Sequence, residues 1–510
     1  MNSVIRSRLF LVILPKIIII ILFSNLSSQQ TIPSNLQALP INKLSQNFYF
    51  FINSSSLISK KLEPRESYWK ISYNSEFAFN NGHPNIDNYG DFSAIGEFNS
   101  LISTRFEFQS KFIFIEFEPY ILEQKYLPDN NADTWGTWGL TNNYYATNQV
   151  SKVISDIKQS QIVIHYNGFG IRLGKTNHWW SPGFHSAIVL SSNASSQKSY
   201  SVGTFKDIRI GKFSFGSKLL VIPYKNSIGN QLYFSGLNAK LTYHSNPTIT
   251  LGIYRAYSSG DFSDLSETTI SQKKWTIIDA AKLTIEPLFG QRKKDLSYTI
   301  PGSPGFDRWD ETLSGYVNFN FPKQSLDIFL EVASDDNRGN LTDLLAHWDH
   351  TLGYNIGFKK FNKVNNNINI FLGAEYLNTI ISNTYNPLFY RGGPNSPNYY
   401  TKGEYDYFTY NGRRMGAHSG TSSDDLFLIL GFGNLKSIVF TSLNKERHAI
   451  KSMLHPELKT EYVLTYHHKI TSHHTAFVTL EYEKIKNFGF IQNNVSISKL
   501  IWFGYSFSIN

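Results

Sequence analysis

A chain of 510 residues with 15% aromatic but only 41% hydrophobic side chains is too polar for a bundle of apolar helices; it suits a barrel with aromatic girdles outside and a polar interior. It contains no cysteine, which excludes a disulfide scaffold, a thiolate metal site and a lipidated N-terminal Cys. The formal net charge of +9 is spread along the chain without a basic stripe interleaved with aromatics, so nucleic acid is not an expected partner; an acidic polymer or anionic lipid headgroups would suit the surplus, as would an ordinary basic proteome.

In chain order, Arg6, Arg8 and Lys16 precede an apolar run over 17–23, and small and polar residues follow through Ser27, Ser28, Gln29 and Gln30. This is the layout of a secretory signal peptide over 1–28, with an apolar part too short to span a bilayer. Residues 29–66 lack alternation and contain Pro33, Pro40 and Pro64. They predict a periplasmic lead-in with one or two short helices between 36 and 57.

From 67 to 510 the dominant signal is a period of two. The run 112–117 is densely apolar and broken only by Glu116. Leu237, Ala239, Leu241 and Tyr243 alternate with Asn238, Lys240 and Thr242. After a turn at 244–247, Ile249, Leu251 and Ile253 resume the pattern. Val317, Phe319 and Phe321 alternate with Asn318 and Asn320, and Leu326, Ile328, Leu330 and Val332 return after a turn at 322–325. Ala476, Val478, Leu480 and Tyr482 oppose Phe477, Thr479, Glu481 and Glu483. The last stretch is the clearest: Ile501, Phe503, Tyr505, Phe507 and Ile509 share one face, and Trp502, Gly504, Ser506 and Ser508 the other. These are hairpins with tight turns, greasy outside and small or polar inside. In lipid they must close into a ring, because an open edge leaves amides without partners. Lys240, Asp327, Glu331 and Glu481 fall in the inward register, and a one-residue slip would turn each toward lipid. Longer polar segments at 129–149, 258–272, 290–308, 335–349 and 383–423 are expected as external loops. The last is rich in Tyr, Gly, Asn and Pro and able to fold over a pore mouth or into it. The fold class is therefore all-β: a large antiparallel transmembrane β-barrel with a short, partly helical N-terminal periplasmic segment.

The most specific local signal spans 168–195. A strand through Arg172 leads into Thr176-Asn177-His178-Trp179-Trp180-Ser181-Pro182-Gly183, then Ile188-Val189-Leu190-Ser191-Ser192-Asn193-Ala194. Tandem Trp before x-Pro-Gly sets two large rings on a tight turn, with Pro182 fixing one backbone angle and Gly183 admitting the next. This stretch resembles the Wzi family of capsule assembly proteins, whose pattern is a strand ending in Gly, Trp-Trp-Gly-Pro-Gly, and a Leu-Leu-Ser-Asn-Asn-Ala-like run. Ser181 stands where the family usually has Gly, and Ser192 where it often has Asn. Residues 329–336, with Glu331 ahead of Asp335 and Asp336, look like the family's strand with an inward Glu before paired Asp. Arg413, Arg414, Gly416, His418 and Gly420, followed by Asp424 and Asp425, look like its Gly-His-x-x-Gly segment. Asn510 departs from the aromatic last residue of many such barrels, with Phe507 three positions back. The resemblance implies an outer-membrane barrel of about eighteen strands in a Gram-negative bacterium that binds polysaccharide and helps hold a capsule on the cell surface. The residues it singles out are His178, Trp179, Trp180, Pro182, Gly183, Ser191 and Asn193, with the loop set Arg413, Gly416, His418, Gly420 and Asp424.

Each chemical reading has a plainer competitor. Trp179 and Trp180 offer indole faces for a pyranose, but wedging the lumen or lying in the interfacial girdle weighs more. Glu331, Asp335 and Asp336 would serve glycoside hydrolysis if two carboxyls lay about 5–10 Å apart across a sugar. Lumen carboxylates paired with cations such as Arg172 and Lys240 are the simpler expectation. His467, His468, His473 and His474 flank a short turn, yet without Cys or a helical His-x-x-x-His no metal is expected. His178, His185, His347 and His418 sit in Trp- or Gly-rich loops, as sugar contacts or as braces. No nucleotide loop, nucleophile elbow or zinc motif occurs, and no cofactor is expected. The expected molecule is a non-enzymatic, lectin-like monomer. It would be inserted by the outer-membrane assembly machinery and surrounded by outer-membrane lipid and lipopolysaccharide. The alternative is a porin-like channel for solutes or oligosaccharides.

Overall fold

The computed structural model describes residues 67–509 apart from 84–86, 89, 93–96, 127–149, 227–228, 261–274, 286–308, 336–351, 365–367, 381–398, 401–406 and 435. The expected signal peptide and lead-in, most of the expected external loops, Asp336 and His347 therefore lie outside the described residues.

Antiparallel strands pair with their chain neighbours, and the last, Val495–Ile509, pairs with the first, Tyr68–Asn80, from Ile71 opposite Ile509 to Asn80 opposite Leu500. That pairing closes an 18-strand barrel, so no edge is left in lipid. One stave is split: Gln197–Thr204 and Ile208–Ile210 both pair with Phe213–Lys225. The tight turns, including 167–168, 244–247, 322–325 and 470–473, lie at the rim that also holds Tyr68 and Ile509. The long connections, including 177–196 and 379–423, leave the opposite rim. Two-residue periodicity and tight turns thus put the loops that carry the Trp-Trp and Gly-His motifs at one end.

The alternation sorts the wall as expected. Ile328, Leu330, Val332, Ile501, Phe503 and Ile509 are exposed on the outer face, whereas Glu331, Glu481, Thr479 and Trp502 are buried on the inner one. Lys240 pairs with Asp207 at 2.8 Å, and Asp327 accepts from the Asn320 side chain. Leu330→Lys, mid-strand on the lipid face, is expected to cost about 2–4 kcal/mol. Urea titration of the protein folded into phospholipid vesicles measures it; an unchanged midpoint would place Leu330 away from lipid.

The expectation of a small or polar inner row needs correction. Phe329, Phe361, Phe371, Phe427, Ile429 and Phe440 form an inward cluster around Phe184. Leu220, Ile222, Tyr224, Phe234, Tyr254 and Leu377 form another, around Trp180, Ile188, Leu190, Met415 and Ala417. Trp502 is covered by Phe92, ring centroids 5.0 Å apart. The physical reason is the same each time: a loop that folds into the lumen must bury its apolar side chains against something, and the wall supplies a matching surface. Elsewhere the inner wall is charged. Lys459 Nζ lies 3.0 Å from Glu446 Oε1, 3.2 Å from Glu483 Oε2 and 3.4 Å from Glu461 Oε2.

A helix that the periodicity did not announce, Ile277–Ile285, packs at the loop rim against Val221, Tyr233, Tyr257 and Trp309. Thr276 precedes it and exchanges hydrogen bonds with Asp279: the Asp279 carboxylate accepts from Thr276 N at 3.0 Å and from Thr276 Oγ1 at 2.7 Å. This is a capping box built with Asp in place of Glu.

Candidate functional site

The Trp-Trp stretch leaves the strand Phe169–Thr176 and turns into the barrel. Trp180 N donates to Leu190 O at 2.8 Å, which pins the two limbs of the loop together. The Trp180 ring stacks on Tyr254 (5.7 Å, 20°) and meets Phe234 edge-on at 5.8 Å. Gly236 makes this possible, because a Cβ there would lie 2.7 Å from the indole. With one face stacked, further packing against Phe234 and Gly236, and 3% exposure, Trp180 is a wedge and offers no stacking face to a sugar. Trp179 is half-buried, and its Nε1 donates to Gly183 O at 2.9 Å. Gly183 has no positive φ. Its lack of a side chain is needed for space, since a Cβ would sit 2.6 Å from Asn355 Nδ2 and 2.7 Å from Glu375 Oε1.

Two inward carboxylates hold this turn. Glu375 Oε2 accepts from Phe184 N at 2.7 Å and His185 N at 3.0 Å, and Oε1 from Ser186 N at 2.7 Å. Glu331 accepts from Ser181 Oγ at 2.6 Å and Ser314 Oγ at 2.7 Å. Ser181, the departure from the Wzi-like pattern, thus uses its hydroxyl on the very Glu of the second motif. Pro182 sits half-buried between these anchors. The expected cation partners lie elsewhere: Glu331 takes hydroxyl donors, while Arg172 Nη2 donates to Ser199 Oγ at 2.7 Å and lies 3.2 Å from His178 Nε2. Burial, reinforced by Arg172 and Lys218, holds the His178 imidazole well below its usual range, so it stays neutral and can accept from Arg172.

The third motif docks on the first. Ser191 N donates to Met415 O at 2.6 Å, Ser191 Oγ to Gly416 O at 2.5 Å, and Asn193 Nδ2 to Arg414 O at 2.9 Å. Arg413 Nη1 reaches back to Gly90 O at 2.7 Å, and Asn88 N donates to Asn193 Oδ1 at 3.1 Å. Burial lowers Arg413 and Arg414 to about 10, which leaves both charged at neutral pH. Gly420 O accepts from Thr379 Oγ1 at 3.0 Å. Asp424 is held by Arg447 Nε at 2.9 Å on the rim, so it does not join the loop cluster. Asp425, one residue on, does: Ser186 Oγ donates to its Oδ2 at 2.7 Å, and His185 and His418 face it. Burial disfavours a charged His418, but Glu446, Asp425 and Asp87 outweigh it and push the imidazole up to about 9.

Asp335, Asp310, Tyr257, Tyr400 and Phe408 line a recess with Ala256, Ser258 and Thr312. Thr312 Oγ1 donates to Asp335 Oδ1 at 3.3 Å. At about 10 Å³ the recess holds roughly one water, and its rings are buried, Tyr400 between Phe408 and the Arg414 guanidinium, so it does not admit a sugar ring. The histidine pairs do not converge: His468 Nδ1 bonds Ser437 Oγ at 2.8 Å and His473 Nδ1 bonds Ser508 O at 2.9 Å. Glu375, Asn88 and Asn355 were missed by the sequence reading, and Asp425 was placed in the third motif without being singled out beside Asp424. For Glu375 and Asp425 a signal existed, because both share the inward parity of apolar wall residues, Phe371 and Leu377 in one strand and Phe427 and Ile429 in the other.

No family model and no curated protein matches the chain. Among solved structures it is similar to Escherichia coli Wzi, described as an outer-membrane, carbohydrate-binding β-barrel involved in group 1 capsule assembly. The TM-score is 0.53 at 9% identity, covering 92% of this chain and 89% of that one. Pseudomonas aeruginosa OccK3 gives a TM-score of 0.43 at 8% identity, covering 87% of this chain and 96% of that one. Acinetobacter baumannii OccAB4 gives 0.43 at 9%, covering 88% and 99%. The chain is a closed transmembrane β-barrel with a Wzi-like fold.

Proposed function

We propose that this barrel is a non-enzymatic polysaccharide-binding protein of the Gram-negative outer membrane that helps retain capsule or exopolysaccharide at the cell surface. The observation that carries the reading is the fate of the motif loops: their described parts turn into the barrel, pack on its inner wall and brace one another, which favours a binding surface over a conduit. The Wzi-like fold, shared with a barrel described as carbohydrate-binding, supports the same reading. Each contact to one repeat unit would be weak. A long polymer presents many repeats, and effective concentration converts weak contacts into firm retention.

The test is retention of the host's own exopolysaccharide by the purified barrel in detergent, paired with glycan shed from a deletion strain. The expected result is capture in vitro and loss of attached glycan in vivo. Absence of capture together with fully retained surface glycan after deletion would sink the proposal.

A further inference from the structure

His185, on the Trp-Trp loop, His418, on the Gly-His loop, and Asp425, at the start of the strand Asp424–Gly433, bring three donor atoms within 4.8 Å of one another. His185 Nε2 and His418 Nε2 lie 3.2 and 3.3 Å from Asp425 Oδ2. Ligands about 2.0–2.1 Å from a tetrahedral zinc stand about 3.3 Å apart, so these separations match two edges of such a site. His185 Nε2 and Asp425 Oδ1 are buried and make no hydrogen bond. A buried polar atom left so is costly unless something else satisfies it. The close approach of His185 to the carboxylate is thus not explained as a hydrogen bond.

The surroundings hold the donors in place. The His185 ring lies flat on Phe427, centroids 3.8 Å apart and 6° from parallel, and edge-on to His418 at 4.8 Å. Ser186 Oγ steadies Asp425. Glu446 Oε1, 3.7 Å from His418 Nε2, adds negative charge that favours a cation. The His185 side chain keeps 13% exposure, an entry edge for an ion.

We propose that His185, His418 and Asp425 bind a divalent transition metal of the zinc class, clamping both inward loops to the barrel wall. Two imidazoles and one carboxylate select zinc, cobalt or nickel over calcium and magnesium. Three protein donors leave a fourth position for water. Metal binding at Nε2 displaces the proton from that nitrogen to solvent and leaves the remaining ring proton on Nδ1. For His418 that nitrogen lies 3.0 Å from Asn88 Nδ2, which also donates to His185 O at 3.0 Å, so metal binding requires the Asn88 side chain to shift. The clamp is independent of whether the barrel binds glycan.

The experiment is zinc titration of the chelator-stripped full-length barrel in detergent, by calorimetry and by metal content after dialysis. Folding is checked by heat-dependent gel mobility. One zinc per chain is expected, weakened about 100-fold or more in the His185→Ala, His418→Ala double variant and unchanged in His473→Ala, His474→Ala. Absence of stoichiometric binding by the folded protein, or equal binding by both double variants, overturns the proposal. Should the double variant fail to fold, cobalt on the unaltered protein decides: an intense tetrahedral visible spectrum supports the site, and a weak octahedral one refutes it.

Discussion

Glu375→Ala is expected to undock the Trp-Trp loop while leaving the barrel closed. Three backbone N–H groups, of Phe184, His185 and Ser186, would lose their buried acceptor. Orphaned donors cost about 1–3 kcal/mol each, so the sum is on the order of 3–9 kcal/mol before water enters to relieve part of it. Asn355 Nδ2 loses a partner as well. The wall does not depend on the carboxylate, because residues on both sides of it stay in the ladder with the neighbouring strands. Limited proteolysis within 181–195, with gel mobility as the control for a folded barrel, measures the effect. Glu375→Gln keeps one acceptor oxygen and should fall between the two. A Glu375→Ala loop as resistant as the unaltered one would show that the carboxylate is not its anchor.

Trp180→Ala should be nearly as damaging, by a different route. Removing a fully packed indole leaves a cavity against Tyr254, Phe234 and Gly236, and such truncations cost about 3–5 kcal/mol. Trp179→Ala, at a half-buried position, should cost clearly less. Denaturant titration that follows loop exposure separates the two. A Trp180→Ala barrel with an undisturbed loop but no glycan capture would make the indole a sugar platform and not a wedge.

The wall was legible because its cause is local. Alternation along each strand, with Lys240, Asp327, Glu331 and Glu481 barred from lipid, fixes parity and register without knowledge of distant residues. The inner face was less legible. Phe329, Phe371 and Trp502 break the small-or-polar rule because loops remote in sequence pack on them, and no short window contains both partners. The motif residues were found, but their work was not. Ser181 and Glu331 are 150 residues apart and meet through one hydrogen bond. Gly183 reads as a turn glycine, yet its position is set by Asn355 and Glu375. Asp424 and Asp425 are adjacent, and only inward parity separates the rim ion pair from the residue facing both histidines.

The most direct test is the conductance of single barrels in a planar bilayer. The protein's own loops turn into the lumen, so insertion without steady current steps at moderate voltage is expected. Large, stable, open-channel steps from the unaltered protein would contradict it, because ions would then be crossing a space that Trp180, Phe184, Met415 and their wall partners are held to occupy.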